Sequence, residues 1–164
     1  MDKTGLQSFA GESISIEPAS RNDLPGIMTL LERSDLPKDG ITNHVATALV
    51  ARKANRIVGS AALELYGAEA LLRSVTVDEP LRGQGIGRKL TDAALELARR
   101  HKVKTVFLLT ETASQFFLRF GFRQVSRSQV PDTVKRSVEF TSACPTGAQV
   151  MARHLEKVNM RRSV

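Results

Sequence analysis

Between Leu71 and His101 the chain changes its period, and it makes the change through three glycines. Leu71 to Val77 reads as a strand closed by Asp78-Glu79-Pro80, whereas Ile86, Leu90, Ala93, Ala94, Leu97 and Ala98 mark one face of a helix reaching about His101. Arg82-Gly83-Gln84-Gly85-Ile86-Gly87 occupies the junction. Glycines let the backbone come close to a ligand and present successive N–H groups, and the helix start adds partial positive charge. A pyrophosphate fits such a turn. An ordinary strand-to-helix connection would also use glycine, so spacing has to decide. No Lys-Ser/Thr follows, which excludes a P-loop, and glycines at 83, 85 and 87 do not make the G-x-G-x-x-G dinucleotide fingerprint. What remains is an arginine three residues before a glycine, with another glycine two further on.

The segments around this junction suggest a single domain over residues 13–164, preceded by a polar, aperiodic and flexible lead-in over residues 1–12. Ser13 to Glu17 alternates as a strand. Asp23-Leu24-Pro25 starts a helix whose apolar positions are Leu24, Ile27, Leu30 and Leu31, ended by Leu36-Pro37-Lys38-Asp39-Gly40. A meander follows: Ala48 to Arg52, Arg56 to Tyr66 and Leu71 to Val77, with turns at Lys53-Ala54-Asn55 and Gly67-Ala68. Thr105 to Leu109 is the next strand, and the helix before it makes a crossover, so this strand should run parallel to Leu71–Val77. Ala113 to Phe120 reads as a helix closed by Gly121. Further on, Phe122 to Val125 and Val138 to Thr141 are expected as strands, and Gln149 to Val158 as a helix. The fold class is therefore α/β (α+β), a mixed, mostly antiparallel central sheet flanked by helices.

Composition narrows the partners. The single cysteine, Cys144, excludes an internal disulfide, and His44, His101 and His154 lack ligand spacing, so no metal is expected. With no basic-then-apolar leader, and no apolar run near the roughly 20 residues of a bilayer span, a cytoplasmic protein without membrane attachment is expected. The formal charge of +7 makes a polyanion worth considering, but +3 of it sits in the last fifteen residues, where a solvated helix end explains it. No tryptophan, one tyrosine and no arginine-rich run speak against nucleic acid.

The arrangement R-x-x-G-x-G after Val75-Thr76-Val77-Asp78-Glu79-Pro80 closely resembles motif A of the GNAT superfamily of acyl-CoA N-acyltransferases, and the element order matches from about Ile14 to Val125. The resemblance implies a GNAT-like fold with acetyl-CoA as the acetyl donor. By position, the amides from Gln84 to Arg88, with Gly85, Ile86 and Gly87 between them, and the flanking Arg82 and Gly83 would bind the pyrophosphate. The backbone at Val75 and Val77 would pair with the pantetheine amides and polarise the thioester, Val75 acting as an oxyanion-type donor. A closer resemblance lies in Leu108-Leu109-Thr110-Glu111-Thr112-Ala113-Ser114-Gln115-Phe116-Phe117 and Arg119-Phe120-Gly121-Phe122. It is similar to N-acetylglutamate synthase acetyltransferase domains and, more nearly, to acetyltransferases of arsenic-resistance operons. Leu63 to Gly67, Ala70 to Ser74, Val130-Pro131 and Cys144-Pro145 favour the arsenic subgroup.

Two positions depart from the family pattern. Phe117 stands where many members have a tyrosine that protonates the departing thiolate, and Leu71 where several have a glutamate base. A thiol of pKa about 8.5 leaves adequately unaided, and Phe117 is expected to pack against the cofactor. Ser114 and Thr112 could supply a proton, or could be N-caps. Glu64 could serve as base, or be a cross-strand partner for a basic residue. Tyr66, two residues on, shares its face by alternation and could line the acceptor pocket or simply pack, and Thr110 at the end of its strand joins the acceptor candidates. Arg73, on the face of Leu71, Val75 and Val77 by the same counting, would suit an anionic acceptor group, or pair internally with Glu64 or Glu69. Cys144 reads as a buried thiol.

The expectation is direct acetyl transfer to a small amino acid or toxic amino-acid analogue, arsenical or phosphinate analogues included, by a monomer or homodimer. A protein N-terminal or lysine acetyltransferase, a non-catalytic acetyl-CoA-binding module and a basic nucleic-acid scaffold remain the alternatives.

Overall fold

The computed structural model describes residues 13–143 and 147–155. The lead-in over 1–12, Cys144 and the basic tail from residue 156 lie outside them. Seven strands, β1 (Ile14–Pro18), β2 (Ala48–Lys53), β3 (Arg56–Tyr66), β4 (Glu69–Val77), β5 (Thr105–Thr110), β6 (Arg123–Val125) and β7 (Gln149–His154), form one sheet in the order β1-β2-β3-β4-β5-β7-β6. Among the described residues the α-helices are α1 (Leu24–Arg33), α2 (Ile86–Arg100), α3 (Ser114–Leu118) and α4 (Asp132–Lys135). No helix among the described residues is long and apolar enough to cross a membrane.

Two compact units divide the chain. One holds the described residues up to Ala62 together with Ser74–Ala94; the other holds Leu63–Arg73 together with the described residues from Leu95 on.

In the first unit β1 and β2 pair antiparallel from Ile14↔Lys53 to Pro18↔Leu49, and β2 pairs with β3 through a bulge at Ala51/Arg52. Asp23 takes the Ser20 N–H on its carboxylate at 2.8 Å, closing the 3-10 turn Arg21–Asp23 that leads into α1, and Arg52 binds both Asp23 (3.1 Å) and Glu17 (2.8 Å). Burial pushes the Asp23 carboxyl up, but the Ser20 N–H and Arg52 outweigh it and hold the pKa below the ordinary value. Leu24, Ile27 and Leu31 of α1 pack with Ile41 onto Ala48, Val50 and Ala62. Leu90 of α2 fits against β3 because residue 59 is glycine: a Cβ there would stand 2.8 Å from the leucine methyl.

In the second unit β4 and β5 run parallel from Glu69↔Thr105 to Leu72↔Leu108, as the crossover predicts. β5 and β6 each pair antiparallel with β7. Leu71, Phe107, Val130, Val134, Val150 and Ala152 form this unit's core.

Two expectations are corrected here. Gln149–His154 is strand β7, not the start of a helix; Met, Ala and Arg favour helix, but β7 lies between β5 and β6, and pairing on both sides overrides that weak preference. Val138 to Thr141 is helical, not a strand: the Ser137 hydroxyl accepts the Glu139 N–H at 3.1 Å, and its carbonyl accepts those of Phe140 and Thr141. A serine that satisfies the following amides itself starts a helical turn, which period-two counting of Val138 and Phe140 does not register.

Candidate active site

Residue 74 decides the geometry of β4. Ser74 is not glycine, yet it takes φ +59 in mid-strand, and its carbonyl accepts the Ser60 hydroxyl at 2.6 Å. A left-handed residue interrupts the pleat, so the face shared by Leu71 and Arg73 cannot be carried on to Val75 and Val77 by counting in twos. Beyond the interruption, Thr76 meets the Ser34 hydroxyl at the end of α1 (2.7 Å), and the Asp78 N–H returns to the Val58 carbonyl (2.7 Å).

The turn after β4 is built for exposure. Arg82, Gly83, Gln84, Gly85 and Arg88 are exposed, and Gly83 and Gly85 hold φ +82 and +87. A Cβ at either glycine would meet no protein atom within 4 Å, so backbone conformation alone demands glycine there, and open space surrounds both. Ile86 is buried and anchors the first turn of α2, while the Thr91 hydroxyl takes the Gly87 carbonyl at 2.8 Å. The first-turn amides of a helix have no intrahelical acceptor, which leaves those at this turn available to an anion. Arg82 folds back, its Nε donating to the Val77 carbonyl at 2.8 Å. That contact fixes the arginine beside the turn and occupies one acceptor on the segment expected to pair with pantetheine.

In the second unit Glu64, Tyr66 and Arg73 come together. Arg73 Nη1 donates to Glu64 Oε2 at 2.8 Å, Tyr66 donates its hydroxyl to Glu64 Oε1 at 2.5 Å, and the side chains of Arg73 and Glu64 are 0% and 1% exposed. Both carboxylate oxygens are therefore engaged, one by a cation and one by a phenol. Burial and the neighbouring Glu64 carboxylate push the Tyr66 phenol up to about 12. Its ring packs beside the core of Leu71, Val130 and Val134.

Other sequence-singled residues stand as follows. Thr110 Oγ1 accepts the Ala113 N–H at 2.9 Å, closing the turn that leads into α3, whose N-cap is Ala113 and neither Ser114 nor Thr112. Ser114 is half-buried in the first turn of α3. Phe117 is buried, edge-on to Phe116 and Phe122 with ring centroids 5.1 and 5.7 Å away. Among the described residues, no three His, Cys, Asp or Glu side chains gather as metal ligands would.

Comparisons with known proteins identify the segment that carries the glycine turn and the crossover helix. The model of the acetyltransferase (GNAT) domain matches residues 44–124. Residues 44–124 are a GNAT acetyltransferase domain. A Chlorobaculum tepidum protein named as an uncharacterized N-acetyltransferase is 31% identical over 99 residues, covering 60% of this chain and 63% of its own. The amino-acid acetyltransferase of Mycobacterium tuberculosis is 34% identical over 76 residues, covering 46% of this chain and 43% of that one. The chain thus spans less than two thirds of these relatives' lengths. Among solved structures, a Mycobacterium tuberculosis protein in complex with CoA and NLQ superposes with a TM-score of 0.74 at 25% identity, covering 87% of this chain and 99% of that one. An N-acetylglutamate synthase from Neisseria gonorrhoeae, complexed with coenzyme A and N-acetyl-glutamate, shares the fold (TM-score 0.76, 20% identity, 88% of this chain and 36% of that one).

The GNAT match ends at residue 124, so two parts of the picture lie beyond it: Ser137, whose hydroxyl reaches Tyr66, and strand β7. Sequence reading also missed Ser60 and Ser74. Neither carries a motif; the only sequence sign is a hydroxyl at 60 in a row whose neighbours, Val50 across the ladder and Ala62 two residues on, are core.

Tyr66 is the only tyrosine and there is no tryptophan, so tyrosinate absorbance follows this residue alone. The folded chain should titrate near 12, against about 10 once unfolded. A raised phenol pKa stabilises the fold at pH below about 10 and loses that contribution as pH climbs towards 12. Glu64→Gln, which removes the adjacent negative charge, should lower the midpoint. A native chain titrating at the unfolded value would show that the Tyr66–Glu64 contact is not formed in solution.

Proposed function

We propose that the chain is an acetyl-CoA-dependent N-acetyltransferase acting by direct transfer on the amino group of an amino acid or a toxic amino-acid analogue. The observation that carries this reading is the exposed turn at Gly83 and Gly85, left-handed at both glycines and open around both, at the start of α2 in a GNAT domain. In this reading the amides from Gln84 to Arg88 hold the pyrophosphate, and the Val75 N–H polarises the thioester carbonyl as negative charge develops on it. The neutral amine attacks that carbonyl carbon, the C–S bond breaks, and coenzyme A leaves as thiolate. No side-chain acid is required at Phe117 for a leaving group of this acidity.

The amino-acid acceptor is supported by likeness to an amino-acid acetyltransferase and by a buried arginine, a residue suited to bidentate binding of a carboxylate, phosphinate or arsenate-like group. Glu64 is the group in reach of an ammonium next to such an anion. While Arg73 and Tyr66 occupy both its oxygens it is a weak base, so proton removal requires a rearrangement of this cluster or a water. Thiol release from acetyl-CoA, measured across amino acids, arsenical and phosphinate glutamate analogues and peptides, tests the reading. Turnover is expected with an anionic amino acid or analogue. Release confined to peptides would replace the acceptor, and coenzyme A binding without release on any amine would leave a binding module.

A further inference from the structure

Ser60 stands in an apolar row of β3, across the ladder from Val50 and two residues from Ala62. Its hydroxyl finds an acceptor not in a neighbouring side chain but in the Ser74 carbonyl, at 2.6 Å, with both residues buried. In a regular antiparallel ladder a strand carbonyl accepts a backbone N–H of its neighbour. At Ser74, where φ is left-handed, the carbonyl instead accepts a side-chain hydroxyl from the neighbouring strand. Such a conformation in a non-glycine residue costs free energy and persists where its surroundings hold it.

The Ser74 carbonyl and the Val75 N–H are the two ends of one planar trans peptide and point in opposite directions. Whatever grips one end aims the other. We propose that Ser60 is a positioning residue for acyl transfer: by holding the Ser74 carbonyl it aims the Val75 N–H at the thioester carbonyl of acetyl-CoA. The inference rests on the reading of Val75 as the thioester donor given above. It assigns to a side chain on another strand the control of a backbone donor that no substitution at Val75 itself removes. Aim matters because a fixed donor stabilises developing charge without reorganising during the reaction, whereas a loosened peptide must reorient first.

Infrared difference spectroscopy of acetyl-CoA labelled at the acetyl carbonyl carbon and bound to the protein reads this directly. The intact chain should shift the bound carbonyl band to lower wavenumber. Ser60→Ala should bind acetyl-CoA within about threefold of the intact chain, since the pyrophosphate turn is untouched, yet lose most of the shift. Ser60→Thr, which keeps a hydroxyl, should retain it. Because Ser60→Ala could also weaken the fold, it is paired with Ser74→Gly, which accepts the left-handed φ without strain. In that double variant stability should recover while the band stays unshifted, since the Ser60 hydroxyl is still absent. A full shift in Ser60→Ala, or its return in the double variant, would overturn the proposal and leave Ser60 a purely structural hydroxyl. An intact chain that binds acetyl-CoA with no shift would overturn the Val75 reading, and one that does not bind it would overturn the proposed function.

Discussion

Replacing Gly85 by valine is expected to weaken acetyl-CoA binding about a hundredfold while leaving the protein folded. The two effects have different origins. Gly85 sits at φ +87, where a side chain costs about 1–2 kcal/mol, and that cost falls on the protein whether or not ligand is present. A Cβ there meets no protein atom within 4 Å, so no clash adds to it. In the proposed complex the same open space is filled by phosphate oxygens drawn to the amides of Gln84 to Arg88. A branched side chain would push them beyond hydrogen-bonding distance, and losing about 2.7 kcal/mol of binding corresponds to two decades in Kd. Gly67→Val supplies the control, because Gly67 also has positive φ (+72) and open surroundings but lies in the β3–β4 turn. Calorimetric titration with acetyl-CoA should separate them: similar loss of stability in both, loss of affinity only at 85. Equal affinities for the two variants would remove the turn from the cofactor site.

The turn was readable from sequence because its requirements are local. Glycines, an arginine and a switch of period all fall within a dozen residues, and each physical demand is met by the residue's own backbone. The same holds for the β2–β3–β4 meander and for α1, whose proline and apolar spacing announce it. β7 failed because what makes it a strand is its neighbours: nothing in Gln149 to His154 says that β5 and β6 will pair along both its edges. Ser74 failed for a related reason. Left-handed backbone is expected at glycine, and a serine held there by Ser60, fourteen residues earlier, leaves no trace in the pattern. Counting in twos therefore loses its footing past Ser74, whereas the partnership of Arg73 with Glu64, on the near side of the interruption, was among the alternatives that alternation allowed.

Arg73→Ala is expected to destabilise the chain by about 3–5 kcal/mol, because it strands the Glu64 carboxylate in a place where 1% of that side chain is exposed. For a domain of this size each kcal/mol lowers Tm by about 2–4 °C, so a loss on the order of 10 °C should be seen by thermal unfolding. Neutralising the stranded charge should reverse most of this. In Arg73→Ala combined with Glu64→Gln, the amide oxygen still accepts the Tyr66 hydroxyl, no uncompensated ion remains, and stability should return to within about 1–2 kcal/mol of the intact chain. The double variant then separates the two roles open to Arg73. If the arginine exists only to neutralise Glu64, removing both charges restores the fold and with it the KM for the acceptor. If Arg73 anchors the acceptor's anionic group, the refolded double variant still lacks the guanidinium, and KM for an anionic acceptor stays raised by about ten- to a hundredfold, the size of a charge-assisted bidentate contact worth about 1.5–3 kcal/mol. An unchanged KM in Arg73→Ala itself would end the anchoring role outright, since the single variant removes the guanidinium and leaves a repelling carboxylate in its place.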